Sequence, residues 1–566
     1  MRIIIISASP YPSLLPVPLP PLRLPKAFSL TGSTGFLCAL ILAVPVLVVA
    51  GSVFAGGTGE TWAHLASTVL PEFLLNTLIM VLGVGAGVAL IGVGCAWLTA
   101  MTEFPGRRMF EWALVLPMAF PAYVLAYMYT DFLQFVGPVQ SWLRETFHWT
   151  RADYWFPDVR SVGGACVMFV LVLYPYVYML ARAAFLERAG SLTEAARSAG
   201  LGPWAAFMRV SLPLARPALV TGVSLALMET LADFGTVSYF AVQTFTTGIM
   251  RAWFSLGDRL AAAQLAAALL VCVAFLLALE KASRGRARHA AGPRARPATR
   301  ARLHGPAALA AWLACALPLA GGFLLPGLLL LRMAFNQGDA QFGSRYLDLV
   351  HNSLLVAGVT AACAVGLAVL LAYAARLASS PLPGFMNRIV GLGYALPGSV
   401  IAVGVLIPVT RLDHWLAATV QHFTGSNPGL LLTGGITALV YACLVRYLTV
   451  ALGSVESGLA RITPSMDEAS RSLGCSRATT LRRVHWPLLR GSLLTAGLLV
   501  FVDVMKELPA TLVMRPFNFD TLATQAYTLA SDERLAEAAT ASLAIVLVGL
   551  LPVILLSRRI SRTGTA

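Results

Sequence analysis

Charge is scarce in this sequence, and lysine is scarcer still. Charged residues make up 12% of 566, against roughly 25% in an average soluble chain. Lysine occurs only at Lys26, Lys281 and Lys506. So few charges cannot coat a water-soluble body of this size, which excludes a soluble enzyme, and a 58% hydrophobic content excludes a disordered chain. None of the three lysines stands in a GxxxxGK[ST] phosphate loop, so any ATP hydrolysis must come from another chain. The eight cysteines are scattered without a CxxC pair and read as small buried hydrophobes. The eight histidines show no HExxH or other close ligand spacing, which argues against a metal cage. No cofactor is expected, and no nucleophile constellation stands out.

What is abundant is apolar sequence in runs long enough to cross a bilayer. Twelve such runs occur, at 36–54, 74–99, 112–129, 164–180, 218–239, 260–279, 307–331, 354–375, 389–409, 430–448, 493–512 and 539–556. The expected fold class is therefore an all-α polytopic membrane protein. The net charge of +15 is concentrated in the connection KASRGRARHAAGPRARPATRAR after the sixth run, with further arginines at Arg107, Arg108, Arg376, Arg388, Arg558, Arg559 and Arg562. The stretch 55–72 holds no Lys or Arg, and 130–163 balances its arginines with acids. By the positive-inside rule both termini are expected in the cytoplasm. The basic excess then reflects topology and the lipid bilayer, and no nucleic-acid partner is expected. The Pro-rich segment 1–35 reads as a tail, because it lacks the pattern of a secretory signal.

The chain also repeats itself. EAARSAGLGPWAAFMRVSLP at 194–213 and EASRSLGCSRATTLRRVHWP at 468–487 share the form E-A-[AS]-x3-G-x9-V-x-[LW]-P, offset throughout by 274 residues. Asn76 and Asn352 open the second and eighth runs in similar wording. The expected organisation is a Pro-rich tail 1–35, a first transmembrane half 36–280, a basic cytoplasmic linker 281–306, a second transmembrane half 307–557 and a cytoplasmic tail 558–566. The repeated segments carry too many charges to enter lipid and read as cytoplasmic helices. Gly200 and Gly474 allow a sharp turn there, and Pro213 and Pro487 suit the first turn of the span that follows. Two copies of one cytoplasmic motif imply two copies of a partner surface.

These segments resemble the EAA motif of the membrane subunits of binding-protein-dependent ABC importers, with Val210 and Val484 for the usual Ile, Ser470 for Ala and Trp486 for Leu. The resemblance implies a MetI-like ABC permease fold of two tandem six-helix halves and no ATPase site of its own. It assigns Glu194, Ala195, Ala196, Gly200 and Pro213, and Glu468, Ala469, Ser470, Gly474 and Pro487, to coupling with the ATPase. Implied partners are two copies of a cytoplasmic ABC ATPase subunit and a periplasmic substrate-binding protein. The implied place is the bacterial inner membrane.

Ionisable residues inside spans are functional candidates by default. METLADFGT places Glu229 and Asp233 four residues apart, and VDVMKELPAT does the same for Asp503 and Glu507 at the 274-residue offset. On a continuous helix each pair shares one face, and Lys506 is close enough to pair with Asp503. Two readings stay open for these five residues: a cation-lining or gating position in the translocation pathway, and an interhelical lock. The same stretches resemble fused ferric-iron permeases, which implies ferric iron as cargo. Thiamine or another small solute is the alternative within the class, and an ion-coupled secondary transporter the alternative outside it.

Overall fold

The computed structural model describes residues 30–56, 59–186, 200–284, 300–336, 344–378 and 381–563. Almost all of this is helical. Among the described residues, eleven helices are long and apolar enough to cross a membrane, or twelve if the bent pair Arg107–Ala119 and Ala122–Phe147 counts as one span. The third span is thus not a straight helix over 112–129: it turns by 91° at Phe120–Pro121. Prolines cause the turn. Pro117 and Pro121 cannot donate to the helix ladder. The residue before each is also biased toward extended backbone, and Phe120 has ψ 128°. The ninth span repeats the device. A short 3-10 turn, Gly393–Ala395, leads through Leu396 (ψ 130°) and Pro397 into Gly398–Thr424, so the run 389–409 is also broken.

Each half lends its opening helix to the other. Leu30–Ser52 packs on Leu382–Val390 and Gly398–Thr424 of the second half, where the Tyr441 hydroxyl donates to Ile41 O at 2.5 Å. Conversely, the helical stretch beginning at Pro306 lies against Leu70–Met101 and Arg107–Ala113 of the first half, and Tyr129 donates to Gly321 O at 2.5 Å. Leucines such as Leu74, Leu78, Leu82 and Leu90 remain exposed along Leu70–Met101. That is the composition of a lipid-facing surface. The sixth span, Arg259–Arg284, runs four residues into the segment read as linker. At the linker's far end, Ala301–Arg302 pairs in parallel with Thr102–Glu103.

The duplication is visible in detail. Asn76 Nδ2 donates to Gln243 O at 2.9 Å, and Asn352 Nδ2 donates to Asp520 O at 3.0 Å. Phe207–Ser211 and Leu481–His485 are both widened π-turns, 274 residues apart. They correct the expectation for Pro213 and Pro487, because the helix is already running before either proline. Its turn widens just ahead of the ring that would otherwise clash with the preceding turn.

Candidate functional site

Four helix breaks, at 114–121, 232–235, 391–397 and 505–509, surround one cavity of about 330 Å3. Irregular backbone at membrane depth is tolerable where it lines a cavity. The wall includes all five expected pathway residues, Glu229, Asp233, Asp503, Lys506 and Glu507. It also holds Arg446, Tyr123, Tyr176, Tyr394 and Tyr447, which the spacing argument did not single out. Arg446 could have been found: it is an arginine inside the apolar run 430–448, and such a residue is itself a candidate.

The carboxylates divide into two kinds. The helices end at Ala232 and Met505, so Asp233 and Glu507 lie beyond them and do not share a helical face with Glu229 and Asp503. Asp233 Oδ1 instead accepts from Thr236 N at 2.8 Å and Val237 N at 3.4 Å. Glu507 Oε1 accepts from Ala510 N at 3.0 Å. Each thus satisfies the otherwise unpaired N–H groups at the start of the next short helix, a local bond that competes with continued helix. Glu507 Oε2 further accepts from Arg446 Nη1 at 2.8 Å and from the Tyr447 hydroxyl.

Glu229 and Asp503 stay on their helices with side chains 26% and 31% exposed, the less engaged pair. Glu229 Oε2 lies 3.6 Å from Arg446 Nη2, and Asp503 Oδ1 lies 4.0 Å from Lys506 Nζ. Lys506 also donates to Met118 O at 3.5 Å. Arg446, only 6% exposed, joins Glu229 of the first half to Glu507 of the second. A Cβ at Gly398 would press into the Glu507 carboxylate, so the close approach of this break to the ion pair requires glycine there. Among the described residues, no three His, Cys, Asp or Glu side chains converge as a metal cage. The wall thus presents four carboxylates and two bases to the cavity.

Of the coupling residues, Glu194, Ala195 and Ala196 lie outside the described residues. Gly200 and Gly474 both adopt left-handed backbone, φ 86° and 77°. In the second copy, Glu468 and Ala469 are exposed on the helix Pro464–Ser472, while Ser470 is buried and bonds the Thr480 hydroxyl at 2.8 Å. This helix is held from behind. Arg376 Nε donates to Asp467 Oδ2 at 2.9 Å, and His485 Nε2 lies 2.5 Å from Asp467 Oδ1. Partial burial alone would raise the Asp467 carboxyl, yet the hydrogen bonds from His485 and Arg376 hold it below the usual range. The face turned to solvent is open and includes Met466 and Leu473.

A twofold bundle with broken helices around a charged cavity, and a glycine turn repeated at Gly200 and Gly474 ahead of matching π-turns, defines a membrane permease of the ABC importer class. The sequence matches the binding-protein-dependent transport system inner membrane component family twice, over residues 89–289 and 364–563, and the chain belongs to that family. Along 92% of its length it is 26% identical to the Fe(3+)-transport system permease protein FbpB 2 of Haemophilus influenzae, spanning 96% of that protein. Shorter similarities reach the probable sulfate transport system permease protein cysT of Chlorokybus atmophyticus (31% identity over 31% of this chain and 59% of that one). The sulfate transport system permease protein CysW of Escherichia coli K12 is 29% identical over 35% of this chain and 66% of its own. The protein is thus a multi-pass permease subunit of a bacterial ABC import system.

Proposed function

We propose that the cargo is ferric iron, delivered by a periplasmic binding protein and driven inward by two copies of a separate ATPase chain. The observation that carries this reading is the charge of the cavity wall: four carboxylates against two bases. An acidic lining in a low-dielectric passage favours a cation over an oxyanion such as sulfate. Carboxylate oxygens suit a hard cation, and the similarity to an Fe(3+)-transport permease runs along nearly the whole chain.

In this reading the halves are 36–280 and 307–557, joined by the cytoplasmic linker 281–306, with both termini in the cytoplasm of a cell whose inner membrane the chain spans. ATP-driven closure of the paired ATPases moves the two coupling segments, Glu194, Ala195, Ala196, Gly200 and Pro213 in one and Glu468, Ala469, Ser470, Gly474 and Pro487 in the other. The halves then rock about the cavity and expose it to alternate sides. Uptake of labelled iron, thiamine and sulfate by a deletion strain carrying the gene tests the cargo. Iron accumulation is expected, and accumulation of sulfate or thiamine alone refutes it. Replacing Glu194 and Glu468 together by Ala is expected to abolish ATP-dependent uptake and co-purification of the ATPase. Uptake by the permease alone in liposomes, driven by an ion gradient, would overturn the ABC mechanism.

A further inference from the structure

Both bases in the cavity come from the second half, and both reach across to the first. Arg446 approaches Glu229 at 3.6 Å, and Lys506 donates to Met118 O at 3.5 Å while standing 4.0 Å from Asp503. These contacts are long for charge-assisted pairs, which favour about 2.7–2.9 Å. The caps Asp233 and Glu507, by contrast, are committed to backbone N–H groups at 2.8 and 3.0 Å. Within one cavity, then, two carboxylates are structurally spent and two are only loosely compensated. A second observation is an unpaired polar group in the same wall. Tyr123 lines the same cavity, is 4% exposed, and leaves its buried hydroxyl without a hydrogen-bond partner among the described residues. Burying such a group costs free energy unless something fills its valence.

We propose that Glu229 and Asp503 form a transient oxygen-ligand site for a hard multivalent cation, and that Arg446 and Lys506 are tethered stand-ins that neutralise it when the cargo is absent. The site rests on the cation-import reading and adds to it the residues that meet the cargo. On entry the cation replaces Lys506 beside Asp503 and displaces the second guanidinium arm from Glu229. Arg446 retains its bond to Glu507 throughout, so no buried arginine is left unpaired. The bases return as the cation leaves. Exchange of this kind keeps the acidic pair compensated at every stage, which limits the cost of charge at membrane depth. It also keeps the cation from binding too tightly to depart, a condition any conducting site must meet.

The test uses the full-length permease with its ATPase partner in nanodiscs, titrated with terbium(III) and read by luminescence sensitised through the wall tyrosines. Lys506→Met is expected to tighten terbium binding by at least about tenfold, because it removes a like charge beside the site. Lys506→Arg keeps that charge and is expected to bind as the wild type does. Glu229→Gln and Asp503→Asn are each expected to weaken binding about tenfold or more. Co-purification of the ATPase verifies that each variant is assembled. Terbium affinity that is unchanged in Lys506→Met, or equal to wild type in both carboxylate variants, overturns the proposal. Failure of iron uptake by the wild type alongside the expected terbium pattern would refute iron as cargo and leave the cation site standing. Iron uptake with indifferent variants refutes the site alone.

Discussion

The two halves line the same cavity with unequal chemistry. The first supplies Glu229 and Asp233 and no base, whereas the second supplies Asp503 and Glu507 with Arg446 and Lys506. At the positions 274 residues before the two bases stand Val172 and Ala232, which also line the cavity. Several devices that shape the backbone around the cavity and the coupling turns have stayed paired: the proline breaks at Pro121 and Pro397, the capping carboxylates, the π-turns at 207–211 and 481–485, and the glycines of the coupling turns. What differs is the charge placed on that scaffold. A symmetric set of acids alone would repel across the interface. Bases on one side only turn that repulsion into attraction between halves, and Arg446 carries most of it.

The coupling sides differ in the same spirit. Behind the second coupling helix stands the ionic cluster Arg376, Asp467 and His485, with Tyr373 edge-on to His485 at 5.5 Å. At the matching π-turn of the first half, Trp97 packs against Phe185 and Phe207 at 5.5 and 4.6 Å between ring centres. Apolar rings resist changes of pH and salt, whereas an ionic clamp does not. The second coupling contact is therefore the one that solution conditions can loosen.

The largest expected effect breaks the asymmetry at its centre. Arg446→Met leaves Glu229 and Glu507 without the counter-charge they share. Removing one partner of a buried pair costs about 3–5 kcal/mol, so a large fall in Tm of the detergent-solubilised protein is expected. Lys506→Met, at a pair with side chains 21% and 31% exposed, is expected to cost no more than about 1 kcal/mol. Equal losses for the two variants would mean that the bases are equivalent and that Arg446 is no keystone.

Next comes the coupling clamp. Arg376→Met removes hydrogen bonds to the Asp467 carboxylate and to Leu459 O and Ile462 O, the latter two at 2.8 Å each. A loss of about 1.5–3 kcal/mol is the usual scale for bonds to charged groups. Amide exchange in 464–472 is expected to accelerate. The sign of the pH effect follows from the lowered Asp467 carboxyl. Its contribution is complete above the ordinary carboxylate pKa and is lost only as pH falls through the lowered value. Protection in the wild type should therefore persist at neutral pH and fade in acid, while Arg376→Met shows a smaller fade. The aromatic support at Trp97 predicts no such acid dependence.

How much of this was legible beforehand depends on whether helix continued. The 274-residue offset, the left-handed glycines and the grouping of five ionisable residues followed from residue order alone. The shared face of Glu229 and Asp233 did not, because spacing translates into a face only while the helix runs. Nothing in METLADFGT stops a helix before Gly235, and it is the Asp233 side chain that ends it, by bonding Thr236 N. The partners of Arg446 were hidden for another reason. Glu229 lies 217 positions away in the other half, and only the packing of the halves brings them together.

A finer comparison of the breaks uses glycine. Gly398→Ala drives a methyl into the Glu507 carboxylate and to 3.0 Å from Arg446 Nη1, whereas Gly235→Ala meets Leu508 Cδ2 and Tyr123 Cβ, each at 2.8 Å. Overpacking costs about 1–3 kcal/mol. Gly398→Ala is expected at the upper end, since its clash is the closer one and the Glu507 carboxylate cannot shift without losing bonds to Arg446, Tyr447 and Ala510 N; at Gly235, Leu508 can turn and only Tyr123 Cβ resists. Transport rates should follow the same order as Tm. A larger effect at Gly235 would place the tighter constraint in the first half.

The smallest effects test what the halves still share. Asn76 and Asn352 each donate one side-chain hydrogen bond, at 2.9 and 3.0 Å, to the backbone carbonyl of a residue just before a threonine-capped helix. Removing either by Asn→Ala is expected to cost about 0.5–1.5 kcal/mol, the net worth of a typical hydrogen bond. Asn76 is the more buried of the two, so its loss should lie nearer the top of that range, because an unpaired carbonyl there is farther from water. The sites share no partner, so the double variant should lose the sum of the single losses within about 0.5 kcal/mol. Marked non-additivity in Tm would show that the two halves sense each other through these helices, and that the asymmetry is not confined to the cavity charges.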